Sequence, residues 1–147
     1  MSTVTPFLWF DTQAEEAAKL YVSIFPNSKM LALTPMTAVF EVNGQRIIAL
    51  NGGPMYKFTE AFSLSVSCET QGEIDEYWAR LTEHGGEEGR CGWLKDKFGL
   101  SWQITPTALS WMLGDPDPVK ARRVVAAMLT MKKIDIAQLQ QAFEGQR

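Results

Sequence analysis

The sequence predicts an α+β protein in which a module of one strand, one helix and several short strands occurs twice and is followed by C-terminal helices. Three observations predict this class. Strand-like and helical hydrophobic patterns alternate, the same order of elements occurs twice, and the apolar faces of the two helices lie about sixty residues apart. We expect a single domain over residues 1–147, with module one at about 1–55, module two at about 58–106 and a helical tail at about 107–147.

The first module begins with the apolar run Thr5–Phe10, which predicts a strand. Asp11 or Thr12 is the expected helix cap, and Pro26 is expected to end the helix. Three strand-like runs follow, with an Asn-Gly hairpin signal between the last two. The apolar positions at helical spacing are Ala14, Ala17, Ala18, Tyr21, Ile24 and Phe25. The three strands are expected at Lys29–Leu33, Met36–Val42 and Arg46–Leu50.

The second module repeats this order. Its first strand is expected at Ala61–Cys68, where apolar and polar residues alternate. A helix is predicted by the spacing of Ile74, Tyr77, Trp78 and Leu81, and it is stopped by Gly85 and Gly86. Two or three short strands are then expected at about Glu87–Leu94 and Leu100–Thr105.

The tail has the capping signals of two helices. Asp117-Pro118 is a typical cap with proline in the first turn, and Val119–Met131 favours a helix. Asp135 is expected to cap a last helix that ends at Gly145. Both helices carry enough apolar residues to require a core or a partner to cover them.

Composition excludes several classes of protein. With 46% hydrophobic and 21% charged residues, the chain can build a full core, and a net charge of −3 without a concentrated basic patch argues against nucleic-acid binding. Cys68 and Cys91 do not form a CxxC pair, so we expect free thiols. We expect a cytoplasmic protein that does not bind membranes, since we find neither a signal peptide nor an apolar run long enough to cross a bilayer.

Three segments resemble PhnB-like proteins, a family also labelled "3-demethylubiquinone-9 3-methyltransferase". They are residues 14–29 (AEEAAKLYVSIFPNSK), 92–106 (GWLKDKFGLSWQITP) and 127–135 (AMLTMKKID), so the resemblance extends over almost the whole chain. The family belongs to the vicinal-oxygen-chelate superfamily of glyoxalases, bleomycin-resistance proteins and dioxygenases. The resemblance implies two βαβββ modules that form a cupped mixed sheet, commonly in a homodimer.

The same resemblance implies where metal ligands would lie. Enzymes of the superfamily carry His or Glu on the first and last strands of each module, and these positions fall near Thr5, Ala49, Ser63 and Gln103. None of the four is a histidine or a carboxylate, so we expect no bound metal. We expect no other cofactor, since no glycine-rich phosphate loop or dinucleotide fingerprint is present.

Strand alternation indicates a polar surface. Period two places the three serines of the Ser63–Cys68 run on one face, and it places Ser101 and Gln103 on one face of the last strand. The resemblance implies that these faces line the cup, to which the first and fourth strands also contribute. The candidate ligand-binding residues are Thr5, Phe7, Trp9, Ala49, Asn51, Ser63, Ser65, Ser67, Ser101 and Gln103.

An uncharged, hydroxyl-rich cup with an aromatic wall favours metal-free binding of a small organic ligand. One alternative is an enzyme acting on a small metabolite, including the methyltransferase that the family label implies. Catalytic residues cannot be assigned, because no histidine lies in these strands to activate a serine. Another alternative is a regulatory or assembly protein that acts through the tail helix Val119–Lys133.

Overall fold

The computed structural model describes residues 1–145 and divides them into two compact units, the first from Met1 to Phe58 and the second from Thr59 onward. Within residues 1–145 the elements are β1 Phe7–Phe10, α1 Ala14–Ile24, β2 Lys29–Leu33, β3 Thr37–Val42, β4 Gln45–Asn51, β5 Ser63–Cys68, α2 Gln71–Thr82, β6 Glu87–Glu88, β7 Trp93–Lys95, β8 Ser101–Pro106, α3 Ala108–Leu113, α4 Pro118–Met128 and α5 Ile136–Glu144. The predicted class is confirmed: two βαβββ modules are followed by C-terminal helices. The single-domain organisation remains a prediction, and the last two residues of the expected tail lie outside the described chain.

The first sheet has the strand order β1-β4-β3-β2, in which β1 runs parallel to β4 and the other pairs are antiparallel. Helix α1 covers one face of this sheet, and its Tyr21 ring lies 6.3 Å from the Phe40 ring of β3. Burying an apolar side chain of this kind contributes about 1.5–3 kcal/mol. The buried residues of the strands under the helix are Leu8, Phe10, Ala38, Phe40, Val42, Ile47 and Ala49.

Helix α1 begins with a cap that differs from the predicted one. Neither Asp11 nor Thr12 is the N-cap; that position is Gln13, whose side chain makes no capping bond. The backbone N–H of Ala14 instead donates to Asn51 Oδ1 at 2.8 Å, and Asn51 Nδ2 donates to the carbonyl of Pro35 at 3.3 Å. A residue of β4 therefore completes the first turn of α1.

We expect Asn51→Ala to lower the free energy of unfolding by about 1 kcal/mol, since removal of a capping acceptor typically costs this much. Asn51→Asp keeps the acceptor oxygen and should restore most of the loss. Chemical denaturation of the three proteins measures the difference. Equal stability of Asn51→Ala and the parent would show that the Ala14 amide does not depend on this bond.

The second sheet has the order β5-β8-β7-β6, again with one parallel pair, β5 with β8. Helix α2 packs on this sheet through Ile74, Tyr77, Trp78 and Leu81, the four positions predicted from their spacing. Thr70 caps the helix, since its side chain accepts a bond from the Glu73 amide at 3.2 Å. The strand residues of the covered face that are buried are Cys68, Leu94, Trp102 and Ile104.

The strand expected at Glu87–Leu94 is divided into β6 and β7. Cys91 and Gly92 between them adopt positive φ angles of 58° and 84°, which extended strands do not allow. Their amides donate to the tail, Cys91 to the Met131 carbonyl at 2.9 Å and Gly92 to the Lys132 carbonyl at 2.8 Å. The break in the strand therefore provides a backbone attachment for the C-terminal segment.

The tail is part of the second unit and has a small core of its own, formed by Met112, Val124, Met131, Ile134 and Leu139. Capping by Asp117 and Asp135 and termination at Gly145 are confirmed. Helix α3 is not predicted from the sequence, and α4 ends at Met128, three residues before the predicted end.

A glutamine on α2 joins the tail to module two. Gln71 Nε2 donates to the Ile134 carbonyl at 2.9 Å, and its Oε1 accepts from the Ile136 amide at 2.8 Å. An ion pair of 2.8 Å between Lys133 and Asp75 lies beside it. From residue 1 to residue 145, no helix is both long enough and apolar enough to cross a membrane.

Cys68 is fully buried, and this burial, with a smaller effect of the Glu73 carboxylate, raises the pKa of its thiol to about 11. Because the thiolate is the reactive form, we expect Cys68 in the folded protein to resist alkylation at pH 8 and to react only as the pH approaches 11 or after unfolding. Half-buried Cys91 serves as the internal reference and should react first. Peptide mass spectrometry after iodoacetamide treatment measures both, and equal labelling at pH 8 would contradict the expectation.

Candidate ligand-binding face of the second sheet

The face of the second sheet opposite to α2 is polar, and we call it the polar face. In the central strand β8, Ser101 stands between Ser63 of β5 and Lys95 of β7 in the register. Two residues further along, Gln103 stands between Ser65 and Trp93. Because residues paired in register point to the same side, these side chains form two adjacent rows, and Ser67 with Thr105 continues them.

The predicted face is therefore correct for the five candidates of module two: Ser63, Ser65, Ser67, Ser101 and Gln103. The intervening residues Trp102 and Ile104 are buried under α2, as the alternation requires. Whether these five residues bind a ligand remains a prediction.

Two of these residues are already linked. Gln103 Nε2 donates to Ser63 Oγ at 3.0 Å, which fixes the amide across the β5–β8 pair. Ser63 acts as the acceptor in this bond, so the hydrogen of its own hydroxyl remains available for another acceptor.

Ser101 is only 1% exposed, and its Oγ has no hydrogen-bond partner among residues 1–145. A buried hydroxyl without a partner costs about 1–3 kcal/mol, which marks this position as incomplete.

Sequence reasoning missed the cation of the polar face. Lys95 forms an ion pair with Glu60, a residue shortly before β5. The hydrogen bond and charge of Lys95 hold the pKa of Glu60 below its ordinary value. The same hydrogen bond and the charge of Glu60, with a smaller contribution from Glu87, raise the pKa of Lys95. Lys95 follows the buried Leu94, so its place on the polar face could be derived from alternation once β7 is located, but its pairing with Glu60 is a tertiary contact.

Of the candidates in and before β1, Trp9 has local partners. Phe7 and Trp9 share the face opposite to the buried Leu8, as predicted, whereas Thr5 precedes the strand. Trp9 Nε1 donates to the Gly53 carbonyl at 2.9 Å, and the Trp9 ring packs edge-on against Tyr56 with centroids 5.0 Å apart. These contacts explain the aromatic residue at position 9 without a ligand.

The face predicted for Ala49 and Asn51 is wrong. Ala49 pairs in register with Leu8 and lies buried beneath α1, and Asn51 serves the N-terminus of that helix. The face of β4 opposite to α1 carries Ile48 and Leu50 instead, because a shift of one residue moves every side chain to the other side of a sheet. Because the side chains of Ile48 and Leu50 cannot ligate a metal ion, the corrected register adds no metal-binding group.

The donor set of the described chain does not fit a transition-metal site. Residues 1–145 contain no group of three or more histidine, cysteine or carboxylate side chains close enough to hold an ion. The polar face offers hydroxyls, an amide, the ammonium group of Lys95 and the two carboxylates beside it, Glu60 and Glu87. Two carboxylates next to an ammonium group do not make the ligand set of a transition-metal ion. Direct metal analysis of the purified protein tests the expectation that it binds no metal.

The two βαβββ modules give this chain the fold of glyoxalase-related and fosfomycin-resistance proteins, the vicinal-oxygen-chelate fold. The fosfomycin resistance protein FosX of Listeria monocytogenes, solved with Mn(II) and sulfate, is similar with a TM-score of 0.58 at 17% identity, covering 77% of this chain and 95% of FosX. A glyoxalase-related enzyme from Fulvimarina pelagi gives a TM-score of 0.53 at 15% identity, covering 74% and 91%. At this identity the similarity concerns the fold alone.

The chain belongs to the 3-demethylubiquinone-9 3-methyltransferase family, the PhnB-like proteins, whose family model matches residues 2–105. A Bacillus cereus PhnB protein that carries the same methyltransferase label is 32% identical, with a TM-score of 0.67, and the match covers 72% of this chain and 100% of that one. None of the curated proteins matches. The resemblance expected for residues 127–135 lies outside the matched residues, so the family assignment depends on the two modules and not on the tail.

Proposed function

We propose that this protein binds a small polar organic molecule on the polar face of its second sheet. The observation that carries the proposal is Ser101, whose buried hydroxyl has no partner in the part of the chain that the structure describes and lies at the centre of a row that also contains Ser63 and Lys95. A row of hydrogen-bond donors beside the partly buried Trp93 suits a ligand with a polar group and an apolar body.

A library of small metabolites tests the proposal by thermal stabilisation, followed by NMR titration of the hits. We expect at least one compound to shift the side-chain amide signals of Gln103 and to bind at least tenfold more weakly to Gln103→Met. The matched control is Gln45→Met, which makes the same change at an exposed glutamine on β4. A library without any Gln103-dependent binder would overturn the proposal.

A second candidate is enzymatic, because the description of the matching family names a methyl transfer. We find no motif for the methyl donor, and no reactive residue is assigned to the polar face. Calorimetric titration with S-adenosylmethionine separates this candidate from simple binding. Measurable binding with one site per chain would favour it, and a flat titration would count against it.

We propose no metal-dependent reaction, although the similar FosX structure contains Mn(II), because the donor set here does not fit such an ion. Metal analysis of the purified protein checks this point. Stoichiometric manganese, zinc, nickel or iron would contradict it. The homodimer and the cytoplasmic location that we expect are further proposals, and sedimentation measures the first of them.

A further inference from the structure

The outer row of the polar face ends in a cation. Lys95, Ser101 and Ser63 lie side by side across β7, β8 and β5, so one ammonium and two hydroxyl groups face the same side. An ammonium group can only donate hydrogen bonds, and each hydroxyl can donate one. Since Ser63 accepts its bond from Gln103 and Ser101 has no partner among the described residues, the row offers three donors to acceptor atoms of one ligand.

The present partner of Lys95 is easily replaced. The Glu60 side chain is 63% exposed and that of Lys95 is 39% exposed, and an ion pair with this much exposure contributes little to stability because water and salt screen it. Glu87, the register partner of Lys95 on β6, is also exposed and faces the ammonium from the other side. A ligand group must therefore compete with carboxylates to bind Lys95, and a group of the same charge and geometry is the one able to do so.

Lys95 is one of the two register neighbours of Ser101 on the polar face, and Ser63 is the other. Ser101 is almost completely buried, so a ligand reaches its hydroxyl only when a neighbouring side chain of the polar face moves. Ser63 is short and accepts the hydrogen bond of Gln103, whereas Lys95 is long and is paired with an exposed carboxylate outside the strands. Of these two neighbouring side chains, that of Lys95 therefore has the greater freedom to move.

We infer that the ligand carries an anionic oxygen group, a carboxylate or a phosphoryl group, which takes the place of Glu60 on Lys95 and accepts hydrogen bonds from Ser101 and Ser63. This inference rests on the function proposed above and gives it a class of ligand. The remainder of the molecule lies along the second row, where Trp93 offers a ring surface beside Gln103.

Three probes with one ring and different head groups test the inference: benzoate, benzamide and benzylamine, with inorganic phosphate as the isolated head. Amide chemical shifts of Lys95, Ser101 and Gln103 are followed by ¹⁵N NMR at constant ionic strength. We expect benzoate to bind at least fivefold more tightly than benzamide and benzylamine. Glu60→Gln should strengthen benzoate binding at least threefold, because it releases Lys95 without removing a site residue.

Lys95→Met should abolish the preference for benzoate, and Lys132→Met, which removes the same charge from an exposed position in the tail, should leave the preference intact. Equal affinity for all three probes, weaker benzoate binding by Glu60→Gln, or no shift with either benzoate or phosphate would overturn the inference. A neutral binder that still depends on Gln103 would leave the proposed function standing while the anionic class fails. The absence of any Gln103-dependent binder would remove both.

Discussion

Replacement of Asp96 by alanine is expected to lower the free energy of unfolding by about 3 kcal/mol or more, because it removes a buried acceptor of several hydrogen bonds. Asp96 is only 2% exposed, and its carboxylate accepts three hydrogen bonds. Oδ1 accepts from the amides of Phe98 and Leu100 at 2.9 and 3.1 Å, and Oδ2 accepts from Trp102 Nε1 at 2.9 Å. Alanine would remove all three of these bonds, and two of the three donating residues, Leu100 and Trp102, belong to the core.

Denaturant-induced unfolding measures this loss, with an unchanged slope indicating that cooperativity is preserved. Asp96→Asn keeps one acceptor oxygen and should cost less than alanine. Asp11→Ala changes an exposed aspartate and should stay within about 0.5 kcal/mol of the parent. A loss below about 1 kcal/mol for Asp96→Ala would mean that water replaces the carboxylate, and the interpretation would be wrong.

The second large effect is expected at Gly92, where alanine should destabilise the protein by about 2–4 kcal/mol through the sum of backbone strain and a steric clash. Gly92 has a φ of 84°, and a Cβ atom there would lie 2.8 Å from the Ile104 carbonyl oxygen and 3.1 Å from Ile134 Cγ1. The carbonyl oxygen belongs to β8 and cannot turn away. The clash would also disturb the bond from the Gly92 amide to Lys132.

Gly99→Ala is the matched control, since Gly99 has a similar φ of 87° but no atom within 4 Å of the position of a Cβ. It should cost about 1 kcal/mol, the strain of a left-handed conformation alone. The difference between the two variants in thermal or denaturant unfolding isolates the clash. Equal losses would show that β8 yields to the added methyl group.

The modules could be predicted because their periodicity is local. The apolar positions of α1 and α2 recur at helical spacing, and polar and apolar residues alternate in β5 and β8, so both the elements and the faces of module two follow from the sequence. In β4 the residues Ile47, Ile48, Ala49 and Leu50 are all apolar, so no alternation distinguishes the two faces, and the parity assigned there was wrong by one residue.

The other differences come from contacts between residues distant in the chain. The cap of α1 is provided by Asn51, 37 residues after Ala14, so no local pattern at Asp11 or Thr12 could exclude them as caps. The left-handed conformation of Cys91, which divides the predicted strand, is stabilised by its bond to Met131 of the tail. The pairing of Lys95 with Glu60 likewise depends on how β5 and β7 are placed around β8.

Gln71 has a consequence for cooperativity. Its side chain donates to the carbonyl of Ile134 and accepts from the amide of Ile136, the residues on either side of Asp135. These two hydrogen bonds connect α2 to a segment that lies beyond the residues matched by the family model. The amide hydrogen of Ile136 should therefore exchange with solvent as slowly as those of α2, and Gln71→Ala should make it exchange faster without affecting the first module. Hydrogen exchange would then report the tail and module two unfolding as one unit, and an early loss of the tail in the parent would contradict this coupling.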